Sequence, residues 1–389
     1  MSGWKTFRVG DLVEPVKSWN PLRSDPDDTF QYVDLSAVDQ SLKRIVAARE
    51  VPCAEAPSRA KQLVKANDVL VSTVRPNLNG VAQVGQELDG STASTGFCVL
   101  RPRANLLSSS YLFHWVKTEQ FIADMVRKAT GASYPAVSDK IILESTIAAP
   151  PLPEQRRIAA ILDQADALRA KRREALAQLD SLTQSIFINM FGDPVANLMK
   201  WPVKKFGEVG TLDRGVSKHR PRNAPELLGG DHPLVQTGEV SNCDGYIRTY
   251  KNTYSDFGLR QSKMWPLGTL CITIAANIAK TGILTFDACF PDSVVGFRAD
   301  TPATVEYVRV WLSFLQKALE DAAPESAQKN INLAILRGLS IPVPPLPLQQ
   351  TFATRIQSVE ALKVTHNVAL QELDRLFASL QLRAYQGEL

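Results

Sequence analysis

Four histidines (His114, His219, His232, His366) and five cysteines (Cys53, Cys98, Cys243, Cys271, Cys289) are the side chains with which this 389-residue chain could hold a metal or build a nucleophilic centre. Their spacing suits neither. The histidines form no zinc-ligand or triad pattern. The cysteines are odd in number and far apart, which reads as reduced, structural thiols. No Gly-x-Gly occurs, so a dinucleotide-type glycine loop is missing, and no Gly-Lys pair occurs, which excludes a P-loop. Asn20-Pro21-Leu22-Arg23 is not the Asn-Pro-Pro-aromatic motif of amino-methyltransferases, and no lysine has an acidic residue two positions before it, as a common nuclease site requires. The chain is expected to do no chemistry alone and to bind no metal or cofactor.

Side chains suited to binding are better placed. Net charge is only +4, but basic residues gather at Lys200, Lys204, Lys205, Arg214, Lys218, Arg220 and Arg222. Such a cluster is either a solvated face or an edge that meets phosphates. Arg75, Asn77 and Asn79 follow an expected strand at a polar turn, and Asn277 with Lys280 follows another. Gly131, Ser133 and Tyr134 lie in one loop after an expected helix, and Gln328, Lys329 and Asn330 lie in a second. Asn, Gln and Ser can reach base edges or phosphates; the same residues also serve ordinary turn geometry.

The elements that must position these groups occur twice. Pro150-Pro151-Leu152-Pro153-Glu154-Gln155 returns 194 residues later as Pro344-Pro345-Leu346-Pro347-Leu348-Gln349. Leu176 to Leu182 returns at the same offset as Leu370 to Leu376, and Tyr111 with Trp115 resembles Tyr307 with Trp311. A period this long means a duplicated domain, not a solenoid. Four segments follow: globular domains over 1–150 and 197–343, and helical segments over 151–196 and 344–389.

Consecutive prolines stop the preceding strand and rigidify the helix start, since proline has a fixed φ and no backbone donor. In the first helix Ile158, Ile161, Ala165, Leu168, Ala175, Leu179, Leu182 and Ile186 recur at coiled-coil spacing. In the second Phe352, Arg355, Val359, Leu362, Ala369, Leu373, Leu376 and Leu380 do so. Arg172 and His366 interrupt the two seams at equivalent places, either to set register or as unrelated surface residues. Gly192-Asp193-Pro194 and Gly387 end the helices, each about 35–40 residues and roughly 50–60 Å long. Each can bury its seam against the other only by running antiparallel, which predicts a pseudo-two-fold dumbbell with its termini close together.

Each globular segment reads as α/β. Strands are expected over 30–38, 69–74, 81–84 and 96–100 with a helix over 111–128. The second copy is expected to have strands over 233–240, 270–275, 283–286 and 294–297 with a helix over 305–319. No apolar run reaches the roughly 18 residues of a membrane span, and the first residues begin no signal peptide. A cytoplasmic protein is expected.

With the proline signature, the duplicated domains and the twofold domain-helix order in hand, the chain resembles the specificity subunit of type I restriction-modification systems over essentially all its length. The resemblance implies tandem α/β (α+β) target-recognition domains separated by two long antiparallel coiled-coil helices, each domain reading one half of a bipartite, asymmetric double-stranded DNA site. It implies two methyltransferase (M) subunits docked on the helical region and two restriction (R) subunits, with S-adenosylmethionine, ATP and Mg held by those partners. It places the 130–134 and 326–330 loops toward DNA. Glu154, Arg156, Arg157, Arg172 and His366 become candidate subunit contacts; helix capping and solvated surface are the competing roles of the first three. The second copy departs from the pattern, with Leu348 where the first has Glu154 and Gln350-Thr351 where it has Arg156-Arg157, which puts equal docking of two M subunits in doubt. The competing function is a coiled-coil scaffold that reads no DNA.

Overall fold

A computed structural model describes residues 4–275, 277–321 and 331–389. The chain divides into two compact units, one of Met1–Ala175 with His366–Leu389 and one of Leu176–Thr365. Each boundary falls inside a long helix, Leu152–Phe191 or Leu346–Gln386.

In the first unit, two four-stranded sheets carry the domain. One orders Arg49–Pro52, Thr29–Val33, Thr92–Ser94 and Ala60–Leu63; the other orders Val13–Glu14, Phe97–Pro102, Val69–Ser72 and Val81–Gln83. Thr6–Arg8 pairs antiparallel with Thr146–Ala148 just before the proline signature. Tyr111, Trp115, Phe121, Ile158, Leu162, Ala165, Phe377 and Ala384 share one core, so the start of one long helix and the end of the other pack on the domain. Trp4 and Leu389 both pack against it.

The second unit repeats the plan with changes. A five-stranded sheet orders Thr211–Arg214, Val294–Arg298, Leu270–Thr273, Thr281–Leu284 and Gly245–Ile247, and a four-stranded one orders Asn252–Tyr254, Leu228–Leu234, Ala288–Cys289 and Met264–Trp265. Val203–Lys205 pairs with Ser340–Pro342 before the second proline signature. Its core joins Phe187 and Phe191 to Tyr307, Trp311, Phe352 and Ile356. The duplication extends to single hydrogen bonds: Tyr111 Oη donates to Ala148 O at 2.8 Å and Tyr307 Oη to Pro342 O at 2.7 Å. In both units a tyrosine locks the domain helix to the strand leading into the prolines. Sheet pairing is mostly antiparallel, with parallel pairs at Thr92–Tyr32, Leu234–Cys289 and along Gly245–Ile247, which makes these domains α+β.

Several elements differ from expectation because polar side chains intervene locally. The helix expected over 111–128 is two, Ser109–Trp115 and Glu119–Lys128, because the Thr118 side chain caps the second by accepting from Phe121 N. The strand expected over 30–38 stops at Val33, where Asp34 accepts from Ser36 and Ala37 and opens a 3-10 turn. Likewise the strand expected over 233–240 ends at Leu234, and Gln236 with Glu239 caps the short helix Thr237–Ser241 reciprocally.

The long helices start at the residue that follows each proline pair and stop before Gly192 (φ +76°) and Gly387 (φ +75°), left-handed positions that glycine tolerates. They run antiparallel within each unit. Arg169 pairs with Asp374 while Arg172 meets His366; Asp180 pairs with Lys363 while Phe187 packs on Phe352. The buried stripe coincides with the expected seam only in part: Ile158, Ala165, Phe352 and Val359 are buried as expected. Leu168, Leu182, Leu362 and Leu376 are about half exposed, and Arg355 is exposed. The buried positions also include Leu162, Phe377, Gln381 and Ala384 in one unit and Thr183, Phe187, Ile356 and Lys363 in the other, none of them on the expected seam. A seam assumes that each helix packs only on the other; here the helix ends also cover a domain core, which rotates the buried face toward it.

Candidate nucleic-acid interface

In the first unit the hairpin joining Val69–Ser72 to Val81–Gln83 carries the 75–79 turn. Arg75 and Asn79 both have left-handed backbones (φ 50° and 46°) around the 3-10 turn Pro76–Leu78. The 130–137 segment is laced to this turn. Arg75 N donates to Pro135 O at 2.7 Å, Val137 N donates to Thr73 O at 2.9 Å, and Ala136 bridges both Val74 and Thr130. Arg75, Gly131, Ser133 and Tyr134 thus come together, although more than fifty residues separate them in the chain. Gly131 has φ +98°, and a Cβ there would stand 2.9 Å from Tyr134 O, so the loop requires glycine. The Arg75 guanidinium lies 4.9 Å from the centre of the exposed Tyr134 ring.

Asn77 is exposed on the turn. Asn79 is turned inward: it is buried, its Nδ2 donates to Val116 O at 2.9 Å, and its carbonyl accepts from Lys43 Nζ at 2.6 Å. This asparagine braces the turn against the domain helix and presents no free donor.

In the second unit the hairpin between Leu270–Thr273 and Thr281–Leu284 holds Asn277 and Lys280, both exposed. Thr273 Oγ1 donates to Asn277 O, and Ala279 takes the left-handed conformation (φ 57°). Ile331 N donates to Ile274 O at 3.0 Å, as Val137 does to Thr73. Gln328, Lys329 and Asn330 lie outside the described residues.

The basic cluster is several local arrangements. Arg220 and Arg222 both pair with the Asp292 carboxylate, and Arg214 donates twice to the Asp292 carbonyl. Lys218 is exposed, its backbone N held by Gln261 Oε1 at 2.7 Å. Lys204 and Lys205 instead sit on the strand paired with Ser340–Pro342.

At the first helix start, Glu154 and Arg157 form a two-pronged ion pair, Arg157 also donates to Leu389 O at 2.7 Å, and Arg156 is exposed. Farther along, Arg172 Nη1 and His366 Nδ1 are 3.2 Å apart, beside an open groove of about 570 Å³ lined by Leu168, Ala175, Ala369, Leu373 and Leu376.

Sequence reasoning missed two sets of residues. Gln155 is buried: Ser108 N donates to its Oε1, and its Nε2 donates to Leu106 O and Pro150 O. Gln349 is equally buried and donates to Pro344 O at 2.8 Å. The signal was present, since glutamine is the polar residue that both proline signatures keep. The second set is a charge cluster in each unit. Asp166 binds Lys117 at 2.7 Å and Arg169 at 2.6 Å, and Arg169 continues to Asp374. Lys363 binds Asp180 at 2.5 Å and Glu360 at 3.3 Å, beside the Glu306–Arg309 pair and Tyr246, whose hydroxyl donates to Glu306. His114, His219 and His232 each face a carboxylate, and no group of metal-binding side chains forms among the described residues. The cysteines are free, and burial raises the Cys98 and Cys271 thiols above their ordinary range, which keeps them unreactive.

The family described as Type I restriction modification DNA specificity domain matches this chain twice, over residues 1–178 and 199–374. The chain belongs to that family, whose members are recognition subunits and not enzymes. It is similar to the type I restriction enzyme HindI specificity subunit of Haemophilus influenzae, at 23% identity over 197 residues, which cover 50% of this chain but only 42% of that protein. The putative MjaX specificity subunit of Methanocaldococcus jannaschii is 19% identical over 374 residues, 92% of this chain and 87% of its own length. A solved structure from work on assembly and conformational transition of the type I R-M system matches all of this chain and 99% of its own, with a TM-score of 0.59 and 27% identity.

Proposed function

We propose that this chain is the DNA-reading, non-catalytic subunit of a type I restriction-modification complex, in which each unit reads one half of a bipartite site. The observation that carries this is the double family match together with two hairpins of one frame and different tips, Arg75–Asn79 and Asn277–Lys280. Equal frames with unequal tips are what an asymmetric bipartite target demands. Asn77, Ser133, Tyr134, Lys218, Arg220, Arg222, Asn277 and Lys280 are the side chains offered for contact. An M subunit would dock on the helices, with Glu154, Arg156, Arg157 and the groove beside Arg172 and His366 as its footing. Two M and two R subunits, with S-adenosylmethionine, ATP and Mg on those partners, complete the assembly, which works in the cytoplasm. No helix among the described residues is long and apolar enough to cross a membrane.

Co-expression with the M subunit followed by methylome sequencing tests this reading. It predicts one asymmetric consensus of two unlike halves, and an affinity that falls steeply with salt as phosphate contacts require. Methylation without a consensus, or DNA binding indifferent to salt, would favour a scaffold that reads no sequence.

A further inference from the structure

We infer that Arg75, seated on Tyr134, reads a guanine in the half-site recognised by the first unit. This rests on the reading of the chain as a DNA specificity subunit and adds the base and the side chain that reads it.

The pair has features a solvated surface arginine lacks. Arg75 forms no ion pair among the described residues; its neighbour is the Tyr134 ring, which is 68% exposed. A cation over an aromatic face is held in plane while its outer N–H edge stays free. The backbone beneath is over-determined: an arginine in the left-handed conformation, which L side chains disfavour, is pinned by Pro135 O, and the loop presenting Tyr134 is pinned in turn by Thr73 and Val74. Strain kept this way at an exposed, uncompensated cation marks a presented group.

A planar fork of donors matches the paired N7 and O6 acceptors of guanine in the major groove. A phosphate would also accept it, but the second copy argues against that. A phosphate anchor carries no sequence information, so a duplicated frame could use it in both halves. In the hydrogen-bonded frame Thr73 matches Ile274, their carbonyls accepting from Val137 N and Ile331 N, which leaves Ala276 in the sequence where the first unit has Arg75. A base reader has to differ between unlike halves, and this position does.

The test uses the full chain with its M subunit. Wild type, Arg75→Ala, Arg75→Lys, Tyr134→Phe and Tyr134→Ala are compared by methylome sequencing and by competition binding, after circular dichroism confirms folding. Expected for Arg75→Ala and Arg75→Lys is a roughly ten- to hundredfold loss of discrimination at one guanine of one half only, with the other half unchanged. Tyr134→Phe keeps discrimination and Tyr134→Ala loses part of it. Replacing that guanine by 7-deazaguanine removes the N7 acceptor and keeps O6, so it weakens wild type by part of the Arg75→Ala loss and leaves Arg75→Ala unaffected. Uniform weakening across all sequences with a salt slope lowered by about one would make Arg75 a phosphate contact and overturn the inference. A wild-type consensus that Arg75→Ala leaves intact overturns it while leaving the proposed function standing, whereas a wild type with no consensus overturns both.

Discussion

Asp166 and Glu360 stand at the same place in the two copies, 194 residues apart, and the fold shifts their acidity in opposite directions. Burial by itself would raise Asp166, but the attraction and hydrogen bond of Lys117, with Arg169 beside it, outweigh burial and lower its pKa. Burial also leads at Glu360, and there Lys363 and Arg309 do not overcome it. The reason lies in what each cation already serves: Lys363 is shared with Asp180 and Asp244, and Arg309 with Glu306. Duplication preserved the carboxylate, the cation one turn later and the acid on the other long helix. Divergence of the surrounding domain decided whether the carboxylate is stabilised or strained.

That contrast can be broken most forcefully at the helix starts. Gln155→Leu strands Ser108 N, Leu106 O and Pro150 O, and should cost about 3 kcal/mol, since each buried unpaired group costs about 1–3. Gln349→Leu strands only Pro344 O and should cost about 1 kcal/mol. Urea unfolding of the two variants checks the ratio, and equal losses would show that the two starts are braced alike.

Next comes the interhelical cation. Lys363→Met leaves the buried Glu360 without its nearest cation and should destabilise by about 2 kcal/mol; Arg169→Met, whose partner Asp166 keeps Lys117, should cost about half as much. Thermal melts of both variants measure this difference.

A smaller effect appears in pH dependence. Because the folded pKa of Asp166 is lowered, its contribution is present above the unfolded value near 3.9 and is lost as pH falls through the folded one. Asp166→Asn should therefore be less stable at neutral pH and resist acid with a flatter profile. Glu360 has the opposite sign: its folded pKa is raised, so it favours the fold at low pH and loses that stability as pH rises through the folded value. Glu360→Gln should gain stability at neutral pH, and stability curves between pH 3 and 7 would reveal a shared sign if the environments were in fact alike.

The smallest contrast lies at the hairpin tips. Ala279→Gly should stabilise by up to about 1 kcal/mol by relieving a left-handed alanine, whereas Asn79→Gly should destabilise, because asparagine tolerates that conformation and its side chain holds Val116 O. Both changes are measurable by differential scanning calorimetry.

The duplication, the two long helices with their starts and glycine stops, and the empty inventory of catalytic motifs are written in local patterns that one strand of text can carry. Proline runs, glycine positions and apolar periodicity act within a few residues, so they were readable without coordinates. Tertiary structure alone decided that Arg75 meets Tyr134 while Asn79 turns inward, that Thr118 splits a helix, that the buried helix stripe faces a domain as well as the other helix, and that Asp166 and Glu360 part ways. Each of those outcomes depends on which residues distant in the chain supply the neighbouring charge, hydrogen-bond partner or apolar wall, and periodicity holds no record of them.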